Sequence, residues 1–585
     1  MKLAEVVARY LEAQGVRHVF GVSGGASLHL IHGIADVTQI AFIPTAHEQG
    51  AGFACDAYAR LRGLGVAIAT SGPGATNLVT AIAASYYDSV PALYITGNVA
   101  TFRKGSNFGV RAYGFQELEF VSMVNGITKY AVQVTDPTQI LRELDYALWM
   151  ARDGRQGPVV VDIPDDVQRM DVNEAALMRW NPHPAFPPDD RRIPVDVLNM
   201  MIRAERPLFI WGAGMRPYAQ EALRLAECMA VPVATTWGAI DLIHHDHPLH
   251  VGGFGTHGTR AANFAVQNSD LIISIGCRLD TKATGTPAHF ARAAKIVMVD
   301  IDGAEIEKFK KLGRTIDFGF ECDAGEFIRQ LLPWASEYHS LNTGNEDEWD
   351  YPGAWIERIR KWKRDYPSLD DPAWTGTKPY ALMKAIAQYT TPEDIIVSDT
   401  GTALGYLMQG FPFKGERMIH AWNLTPMGYG LPAAIGAGFA TGRRVILITG
   451  DGSIMMSLSE LATVAKWNLN IKIILLNNKG HAMCRQTQRQ WLGGKYPATS
   501  IEGGLGFPES FTDVAIAFGI TGHWHEDSLE RLFSHDRPDF LEIDVDPDAG
   551  LIPQARYGAP IEDSEPALPR AELAEQMMIP LLEVA

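Results

Sequence analysis

The chain has 585 residues, of which 46% are hydrophobic and 20% are charged. This length exceeds what one hydrophobic core supports and predicts about three or four domains at ~150 residues each. The composition excludes disorder as the main state. The formal net charge of −17 argues against a nucleic-acid partner, because phosphate binding needs a clustered basic face. No stretch approaches the ~20 continuous apolar residues that cross a bilayer, so we predict no membrane partner.

The start of the chain and the cysteines indicate the compartment. MKLAEVVARYLEAQGV has the pattern of an amphipathic helix with acidic residues, not of a signal peptide. The five cysteines are scattered and show no CxxC spacing, which is typical of reduced thiols in the cytoplasm. We therefore expect a cytoplasmic protein.

Short apolar, β-branched runs alternate with helical stretches along the chain. They are GVAIATSG, PALYITG, GPVVVDIP, PLFIWGAG, DLIISIG, KIVMVDID, EDIIVSD, RVILITGDG and IKIILLNN. Such runs predict buried parallel strands, apolar on both faces. The alternation predicts an α/β fold of doubly wound parallel sheets, whose ligands bind at the carboxyl ends of the strands.

Two stretches break this alternation and predict connectors. Residues 181–192 (NPHPAFPPDDRR) are rich in proline and charge, and residues 336–353 are polar and acidic. They divide the chain into three α/β domains and a tail, at residues 1–180, 190–335, 354–550 and 551–585. One basic run, from Arg358 to Arg364, is expected to form the solvated face of a helix.

The strongest chemical signal lies in the third domain, where two predicted strands end in GDGS and in NNKG. Asp451 and Asn478 then stand at the carboxyl ends of two parallel strands. With the Gly480 carbonyl they supply hard oxygen ligands for Mg²⁺, leaving positions for a diphosphate and water. Gly452 and Ser453 are expected to open a helix whose N–H groups point at that diphosphate.

This GDG…NN pattern resembles the fingerprint of thiamine-diphosphate (ThDP) enzymes. TAHEQGAGFACDAYAR and IATSGPGATNLVTAIAASYYDSVPALYITG resemble the pyrimidine-binding domain of the acetolactate synthase superfamily, and the likeness extends over nearly the whole chain. It implies that the first domain binds the pyrimidine and that the third binds the diphosphate. The central domain would bind FAD or have a structural role.

The resemblance implies two catalytic roles at the cofactor. Glu48 would hydrogen-bond the pyrimidine ring and favour the imino tautomer, whose nitrogen takes the proton from the thiazolium carbon. Met427 would wedge between the two rings and keep the cofactor bent. Further implied ThDP contacts are Ala26, Pro73, Asn77, Gly401, Thr402, Thr425, Gly450, Gly452, Ser453, His481 and Ala482.

The central domain resembles the FAD-contacting stretches of acetolactate synthases. The implied contacts are Arg155, Gly212, Ala213, Gly214, Thr236, Phe254, Gly255, Thr256, His257, Gly276, Arg278, Asp280, Asp300, Ile301 and Asp323. Relatives exist that keep this domain without flavin, so the domain alone does not decide whether FAD binds. The resemblance also leaves open whether a bound FAD takes part in redox chemistry.

The substrate pocket departs from the synthase pattern. Phe115 and Gln116 align with pocket residues of the synthases, and Gln116 is also a catalytic candidate. However, Thr487 replaces a tryptophan, which opens space, and Lys282 replaces an arginine, which loses the bidentate grip on a carboxylate. His29 would add a polar group.

GGASLHLIHGIAD and TFRKGSNFGVRAYGFQE also resemble ThDP carboligases of polysaccharide gene clusters, the YerE-like enzymes, which transfer a two-carbon unit from pyruvate to a keto-sugar nucleotide. Two positions differ from the synthases: Ser23 replaces a proline, and Thr402–Ala403 replaces a Gln-His pair.

The resemblance therefore implies a ThDP- and Mg²⁺-dependent carboligase that decarboxylates pyruvate and passes the two-carbon unit to an acceptor carbonyl, with a keto-sugar nucleotide as one candidate. The alternatives are an acetolactate synthase that condenses two 2-ketoacids, a flavin-linked pyruvate oxidase and a non-catalytic subunit. The superfamily implies a homodimer or homotetramer, because each cofactor lies between two chains.

Overall fold

Parallel strands alternate with helices, as the sequence predicts. The computed structural model describes residues 1–181, 192–342, 353–367, 378–556 and 558–582. Within these residues there are three six-stranded parallel sheets and one two-stranded antiparallel ribbon. The predicted α/β class with three doubly wound sheets is confirmed.

The strands form an N-terminal sheet (β1–β6), a central sheet (β7–β12), a C-terminal sheet (β13–β18) and a ribbon (β19–β20). Their bounds are β1 His18–Gly21, β2 Ala41–Pro44, β3 Gly65–Ala69, β4 Ala92–Asn98, β5 Tyr130–Gln133, β6 Val159–Pro164, β7 Pro207–Trp211, β8 Val233–Thr235, β9 His250–Gly253, β10 Leu271–Ile275, β11 Lys295–Asp300, β12 Phe318–Glu321, β13 Ile395–Ser398, β14 Arg417–Ile419, β15 Val445–Gly450, β16 Ile471–Asn477, β17 Thr521–His523, β18 Asp539–Asp544, β19 Gln554–Ala555 and β20 Ser564–Glu565.

The α-helices among the described residues connect these strands. Their bounds are α1 Leu3–Ala13, α2 Leu28–Val37, α3 Glu48–Arg62, α4 Pro73–Thr76, α5 Val79–Tyr87, α6 Phe120–Val124, α7 Ile140–Arg152, α8 Asp165–Gln168, α9 Val195–Arg203, α10 Ala219–Met229, α11 Arg260–Asn268, α12 Thr281–Thr284, α13 Gly303–Glu307, α14 Ala324–Asn342, α15 Gly353–Asp365, α16 Lys378–Ile386, α17 Thr402–Gly410, α18 Gly430–Thr441, α19 Asp451–Ile454, α20 Leu461–Trp467, α21 Ala482–Trp491, α22 Phe511–Ala517, α23 Leu529–Phe533 and α24 Arg570–Gln576. Within these residues, no helix combines the length and the apolar character that a membrane crossing needs.

The N-terminal and C-terminal sheets share one strand order. The first runs β2-β1-β3-β4-β6-β5 and the second runs β14-β13-β15-β16-β18-β17. The central sheet runs β12-β11-β10-β7-β8-β9, which is the order of dinucleotide-binding sheets. In such open sheets ligands bind beyond the carboxyl ends of the strands, where the strand order reverses.

The chain divides into two compact units. The first consists of Met1–Ala185, Asp394–Ala403 and Ile419–Pro547, and the second of Phe186–Glu393, Leu404–Met418 and Asp548–Ala585. The first unit contains β1–β6 and β15–β18, and the second contains β7–β12. The domain boundaries given from the sequence stay a prediction.

Helices α3 and α18 pack closely together inside the first unit. Their sequences are rich in alanine and glycine, and both lie in one buried apolar cluster with β3, β15 and β16. A Cβ at Gly436 of α18 would lie 2.1 Å from the carbonyl oxygen of Ala54 in α3. Glycine is therefore required at this contact, because a side chain would force the two helices apart.

Two expectations about the connecting segments need correction. Helix α14 extends to Asn342, so the predicted connector that starts at Ser336 begins inside a helix. Residues 182–191 and 343–352, which make up most of both connectors, lie outside the described residues. The basic run does lie in a helix, α15, but Lys363 is not part of a solvated face, because its Nζ donates to the carbonyl oxygen of His250 at 2.8 Å.

Candidate active site

The adjacent strands β15 and β16 carry the candidate metal site at their carboxyl ends. Asp451 directly follows β15 and is only 1% exposed. Its Oδ1 accepts from the N–H of Gly452 at 2.7 Å, and its Oδ2 accepts from the N–H of Gly480 at 3.1 Å. Burial raises the pKa of Asp451 to about 6. Desolvation of the carboxylate is the cause, and a bound cation would offset it.

Asn478 supplies a free acceptor beside this carboxylate. The residue follows β16, and its Oδ1 is buried with no hydrogen-bond partner among the described residues. These residues contain no cluster of three or more His, Cys, Asp or Glu side chains that could hold a metal. A cation here would instead take one carboxylate, one amide oxygen and one carbonyl, which is a donor set that suits Mg²⁺.

Gly452 brings Met427 and His481 together. A Cβ at Gly452 would lie 2.6 Å from Cδ2 of His481 and 3.3 Å from the methyl carbon of Met427. Any side chain would therefore displace one of the two groups. Burial lowers the pKa of His481, so its imidazole is neutral at pH 7. The N–H of Gly452 donates to the Asp451 carboxylate, so this donor, which the sequence predicts to point at a diphosphate, is engaged within the chain.

Asp399 holds the turn that carries Met427, and the sequence analysis missed this role. Its carboxylate accepts from the backbone N–H groups of Thr400 at 2.9 Å, Gly428 at 3.2 Å and Gly430 at 2.9 Å. Burial raises the pKa of Asp399 to about 6. The available signal was its place at the end of the strand EDIIVSD.

Glu48 is the first residue of α3 and is buried at the N-terminal domain's candidate site. The Nδ2 of Asn77 donates to its Oε2 at 2.9 Å. A Cβ at Gly74 would lie 3.2 Å from Oε1 of Glu48, so the SGPG turn leaves room for this carboxylate. The structure thus brings Glu48, Asn77 and the turn at Pro73 together.

Glu460 fixes the start of the same helix, and nothing in its local sequence indicated this. Its Oε1 accepts from the backbone N–H groups of Ala46 at 3.1 Å and His47 at 3.2 Å. A Cβ at Gly50 would lie 2.3 Å from that oxygen. Burial raises the pKa of Glu460.

Of the other predicted contacts of the N-terminal domain, Ala26 and Gln116 lie near the same turn. The N–H of Ala26 donates to Oγ1 of Thr70 at 3.1 Å. Gln116 has a φ of 61°, and its carbonyl oxygen would lie 2.8 Å from a Cβ at Gly72. Phe115 is 87% exposed in this single chain. His29 faces Asp165, with 3.6 Å between Nε2 and Oδ1.

The remaining predicted contacts of the C-terminal domain lie in turns and at helix starts. Gly401 and Thr425 have φ values of 90° and 47°, and Thr402 begins α17. Ala482 begins α21, where the hydroxyl of Thr487 donates to the carbonyl of Met483 at 3.2 Å. Among the described residues, no hydrogen bond joins Glu48 to Asp451 or Asn478.

The predicted flavin contacts lie at the carboxyl ends of the central strands. They are Gly212, Ala213 and Gly214 after β7, Thr236 after β8, Phe254, Gly255, Thr256 and His257 after β9, Gly276, Arg278 and Asp280 after β10, Asp300 and Ile301 at the end of β11, and Asp323 after β12. Arg155 lies in the N-terminal domain, where its Nε donates to Oγ of Ser89 at 3.0 Å.

The strand-order reversal of the central sheet lies between β7 and β10. There the N–H of Gly214 donates to the carbonyl of Gly276 at 3.1 Å. A Cβ at Gly212 would lie 2.1 Å from the same oxygen, so glycine allows the two loops to pack. His257, which follows β9, has a buried Nε2 with no partner among the described residues.

Lys282 lies against an aromatic ring in the same unit. Its Nζ is 5.0 Å from the ring centroid of Trp237, which is itself 5.9 Å from the ring of His257. Burial lowers the pKa of Lys282. The structure thus places this ammonium group beside a predicted flavin contact.

Comparison with known proteins agrees with this geometry. Three family models match the chain: the N-terminal thiamine pyrophosphate (TPP) binding domain of thiamine pyrophosphate enzymes over residues 1–123, their central domain over 195–331 and their C-terminal TPP binding domain over 399–543.

Full-length relatives are also similar. The acetolactate synthase isozyme 1 large subunit of Escherichia coli strain K12 is 32% identical, covering 95% of this chain and 96% of the relative. A probable acetolactate synthase large subunit of Methanocaldococcus jannaschii is 34% identical, covering 94% and 93%. The acetolactate synthase large subunit of Lactococcus lactis subsp. lactis is 32% identical, covering 95% and 94%. The chain therefore belongs to the acetolactate synthase superfamily of thiamine-diphosphate enzymes and is a ThDP-dependent carboligase.

Proposed function

We propose that this chain decarboxylates pyruvate and joins the remaining two-carbon unit to a second 2-ketoacid, forming an acetohydroxy acid. The observation that supports this most strongly is the buried pair of Asp451 and the unpartnered Asn478 amide, set at two strand ends in a chain that is similar to acetolactate synthases over its length. This reading replaces the keto-sugar acceptor as the first candidate.

The chain's own groups would bind and tune the cofactor. When bound, ThDP supplies a nucleophilic carbon that adds to the ketoacid carbonyl. Asp451, Asn478 and the Gly480 carbonyl would hold Mg²⁺ and, through it, the diphosphate. Met427, supported by the turn bonded to Asp399, would set the bend of the cofactor.

Glu48 would hold a proton at the far end of the cofactor. Asn77 fixes the orientation of this carboxylate, and Glu460 fixes the helix start that carries it. A carboxylate held in one orientation can share a proton with a ring nitrogen without first reorganising.

The acceptor would be bound by Lys282 and by the space at Thr487. The ammonium group of a lysine attracts a ketoacid carboxylate as a point charge, but it lacks the two parallel N–H donors with which an arginine binds both oxygens. Because the threonine side chain is small, we retain a keto-sugar nucleotide as a second acceptor candidate. His29, Phe115 and Gln116 are proposed to line the substrate approach.

We further propose FAD as a bound cofactor of the central domain and a homodimer or homotetramer as the active assembly. The dinucleotide strand order and the free Nε2 of His257 support flavin binding. The assembly rests on the likeness to the acetolactate synthase superfamily, in which each cofactor lies between two chains.

Product analysis tests the proposal. Purified protein with ThDP, MgCl₂ and FAD is incubated with pyruvate alone, with pyruvate plus 2-ketobutyrate and with pyruvate plus a keto-sugar nucleotide, and products are identified by mass. Rapid acetolactate formation from pyruvate alone supports the proposal. A product formed only with the keto-sugar would contradict it, and so would stoichiometric flavin reduction by pyruvate without an acceptor, which indicates an oxidase.

A further inference from the structure

A cavity of about 160 Å³ lies in the second unit. Its apolar wall includes Met408, Phe411 and Phe413, and its polar wall includes His245, His250 and Lys363. None of the predicted ThDP, flavin or substrate residues lines it. The volume is enough for a molecule of several heavy atoms.

His250 offers an unused acceptor in this cavity. The residue is 4% exposed, and its Nδ1 lies 3.2 Å from the carbonyl oxygen of His245. Because a carbonyl oxygen can only accept a hydrogen bond, the Nδ1 of His250 is the ring nitrogen that carries the proton. Burial lowers the pKa of His250 to about 3, so the neutral ring has a lone pair at Nε2. This Nε2 is buried and has no partner among the described residues.

Lys363 places a positive charge at the same cavity. Among the described residues its Nζ makes one hydrogen bond, to the carbonyl oxygen of His250 at 2.8 Å, so two further N–H bonds remain available. Asp246 is close enough to raise its pKa, but burial has the larger effect and lowers it. A buried ammonium group without a bonded carboxylate favours a negatively charged ligand.

Two other polar side chains of the wall are already hydrogen-bonded. The hydroxyl of Tyr366 donates to Oε1 of Glu572 at 2.7 Å, and the amide of Gln409 donates to the carbonyls of His257 and Pro553. The ring of His245 packs edge-on against that of His250, with centroids 5.8 Å apart. Among the described wall residues, His250 supplies a buried acceptor without a partner and Lys363 supplies a positive charge.

We propose that this cavity binds a small hydroxycarboxylate. The carboxylate would accept from Nζ of Lys363, the hydroxyl would donate to Nε2 of His250, and the carbon skeleton would pack on Met408 and Phe411. A divalent cation fits less well, because the wall as formed by the described residues has a lysine and no carboxylate.

Calorimetry on the full chain, saturated with ThDP, MgCl₂ and FAD, tests this assignment with three matched probes. Lactate carries both groups, propionate lacks the hydroxyl, and propane-1,2-diol lacks the charge. We expect lactate to bind and the other two to bind at least about tenfold more weakly, because each leaves one buried group unsatisfied. Equal binding of lactate and propionate would overturn the proposal, as would no lactate binding or tighter binding of inorganic phosphate.

Variants locate the binding. Lys363→Met keeps the length of the side chain without its charge, and His250→Phe keeps a ring without the acceptor. Each substitution should weaken the binding of lactate at least about tenfold. The control is Lys361→Met, on the exposed side of the same helix, where the lysine pairs with Asp365. This substitution should change the affinity for lactate less than twofold. Unchanged lactate binding in Lys363→Met would overturn the assignment, as would Zn²⁺ binding that needs His250 and not Lys363. Should His250→Phe not fold, the Lys363→Met result decides alone.

Discussion

The hydroxyl of Tyr429 donates to Oδ1 of Asp56 at 2.7 Å in the interior of the first unit. Tyr429 lies two residues after Met427, and Asp56 lies two helical turns after Glu48 in α3. Asp56 also accepts from Arg60 at 2.7 Å and from the hydroxyl of Ser85 at 2.8 Å. Arg60 in turn donates to Asp88. This buried network ties the helix that carries Glu48 to the turn that carries Met427.

Removing the tyrosine hydroxyl tests this connection. Burial raises the pKa of Tyr429 well above its usual value, so the phenol stays a donor. We expect Tyr429→Phe to lower the free energy of unfolding of the first unit by about 1–3 kcal/mol, because a buried carboxylate loses one donor. Guanidinium unfolding measures this change. The exposed Tyr87→Phe should stay within about 0.5 kcal/mol of the parent. An unchanged unfolding midpoint in Tyr429→Phe would show that the bond contributes nothing.

Glu48→Gln tests proton transfer at the cofactor. The amide keeps the shape of the side chain but cannot hold the proton, so we expect turnover of pyruvate to fall at least about 100-fold. ThDP affinity, measured by calorimetry, should change far less. Glu119→Gln, at an exposed glutamate of the same domain, serves as the control and should retain activity. A fully active Glu48→Gln variant would disprove the assigned role.

Asp451→Asn tests the metal site. Because the substitution removes the one charged ligand, we expect the Mg²⁺ concentration needed for half-maximal ThDP binding to rise at least about tenfold. Titration of Mg²⁺ at fixed ThDP, followed by calorimetry, measures the shift. The matched control is Asp544→Asn, at an exposed aspartate that also ends a strand of the C-terminal sheet. Equal shifts in both variants would indicate a general charge effect rather than a ligand.

Gly452→Ala tests the close approach of Met427 and His481. The added Cβ would lie within 2.6 Å of His481 and must push one of the two side chains aside. We expect weaker ThDP binding, by about tenfold or more, with the secondary structure retained. Gly126→Ala is the control, because a Cβ there meets nothing within 4 Å. Parental ThDP affinity in Gly452→Ala would show that the space is not needed.

Asp162 predicts a pH dependence of stability that is separate from the metal site. Its carboxylate accepts from Thr96 at 2.7 Å, Asn98 at 2.8 Å and Gln133 at 2.5 Å, yet burial raises its pKa to about 6. Since this folded-state pKa lies above the unfolded value of about 3.9, the group stabilises the fold below pH 4, and this contribution is lost as the pH rises through 6.

We therefore expect the free energy of unfolding of the parent, relative to that of Asp162→Asn, to rise by about 1 kcal/mol when the pH is lowered from 7 to 5. Urea unfolding at the two pH values measures the difference, and the other titrating groups cancel in the comparison. Asp171→Asn, at an exposed aspartate whose pKa is lowered by Lys2, should show no such difference over this range. A relative loss of stability of the parent at pH 5 would contradict the predicted titration of Asp162.

The fold class and the identity of the chemical groups could be predicted from the order of residues alone. Buried strands apolar on both faces can only belong to covered parallel sheets, and the structure confirms three of them. GDG and NN at two strand ends placed Asp451 and Asn478 together, because the carboxyl ends of parallel neighbours share one edge of a sheet.

The groups that hold these residues in place by hydrogen bonds became visible in the three-dimensional structure and not before. Asp399, Glu460 and the Asp56–Tyr429 bond connect positions far apart in the chain, and no local pattern of residue types predicts such pairs. The same is true of Lys363, which the basic run suggested was solvated and which the fold instead turns toward His250. Local sequence fixes strands and turns through backbone preferences and hydrophobic periodicity, whereas burial and partners depend on which surfaces meet after the chain has folded.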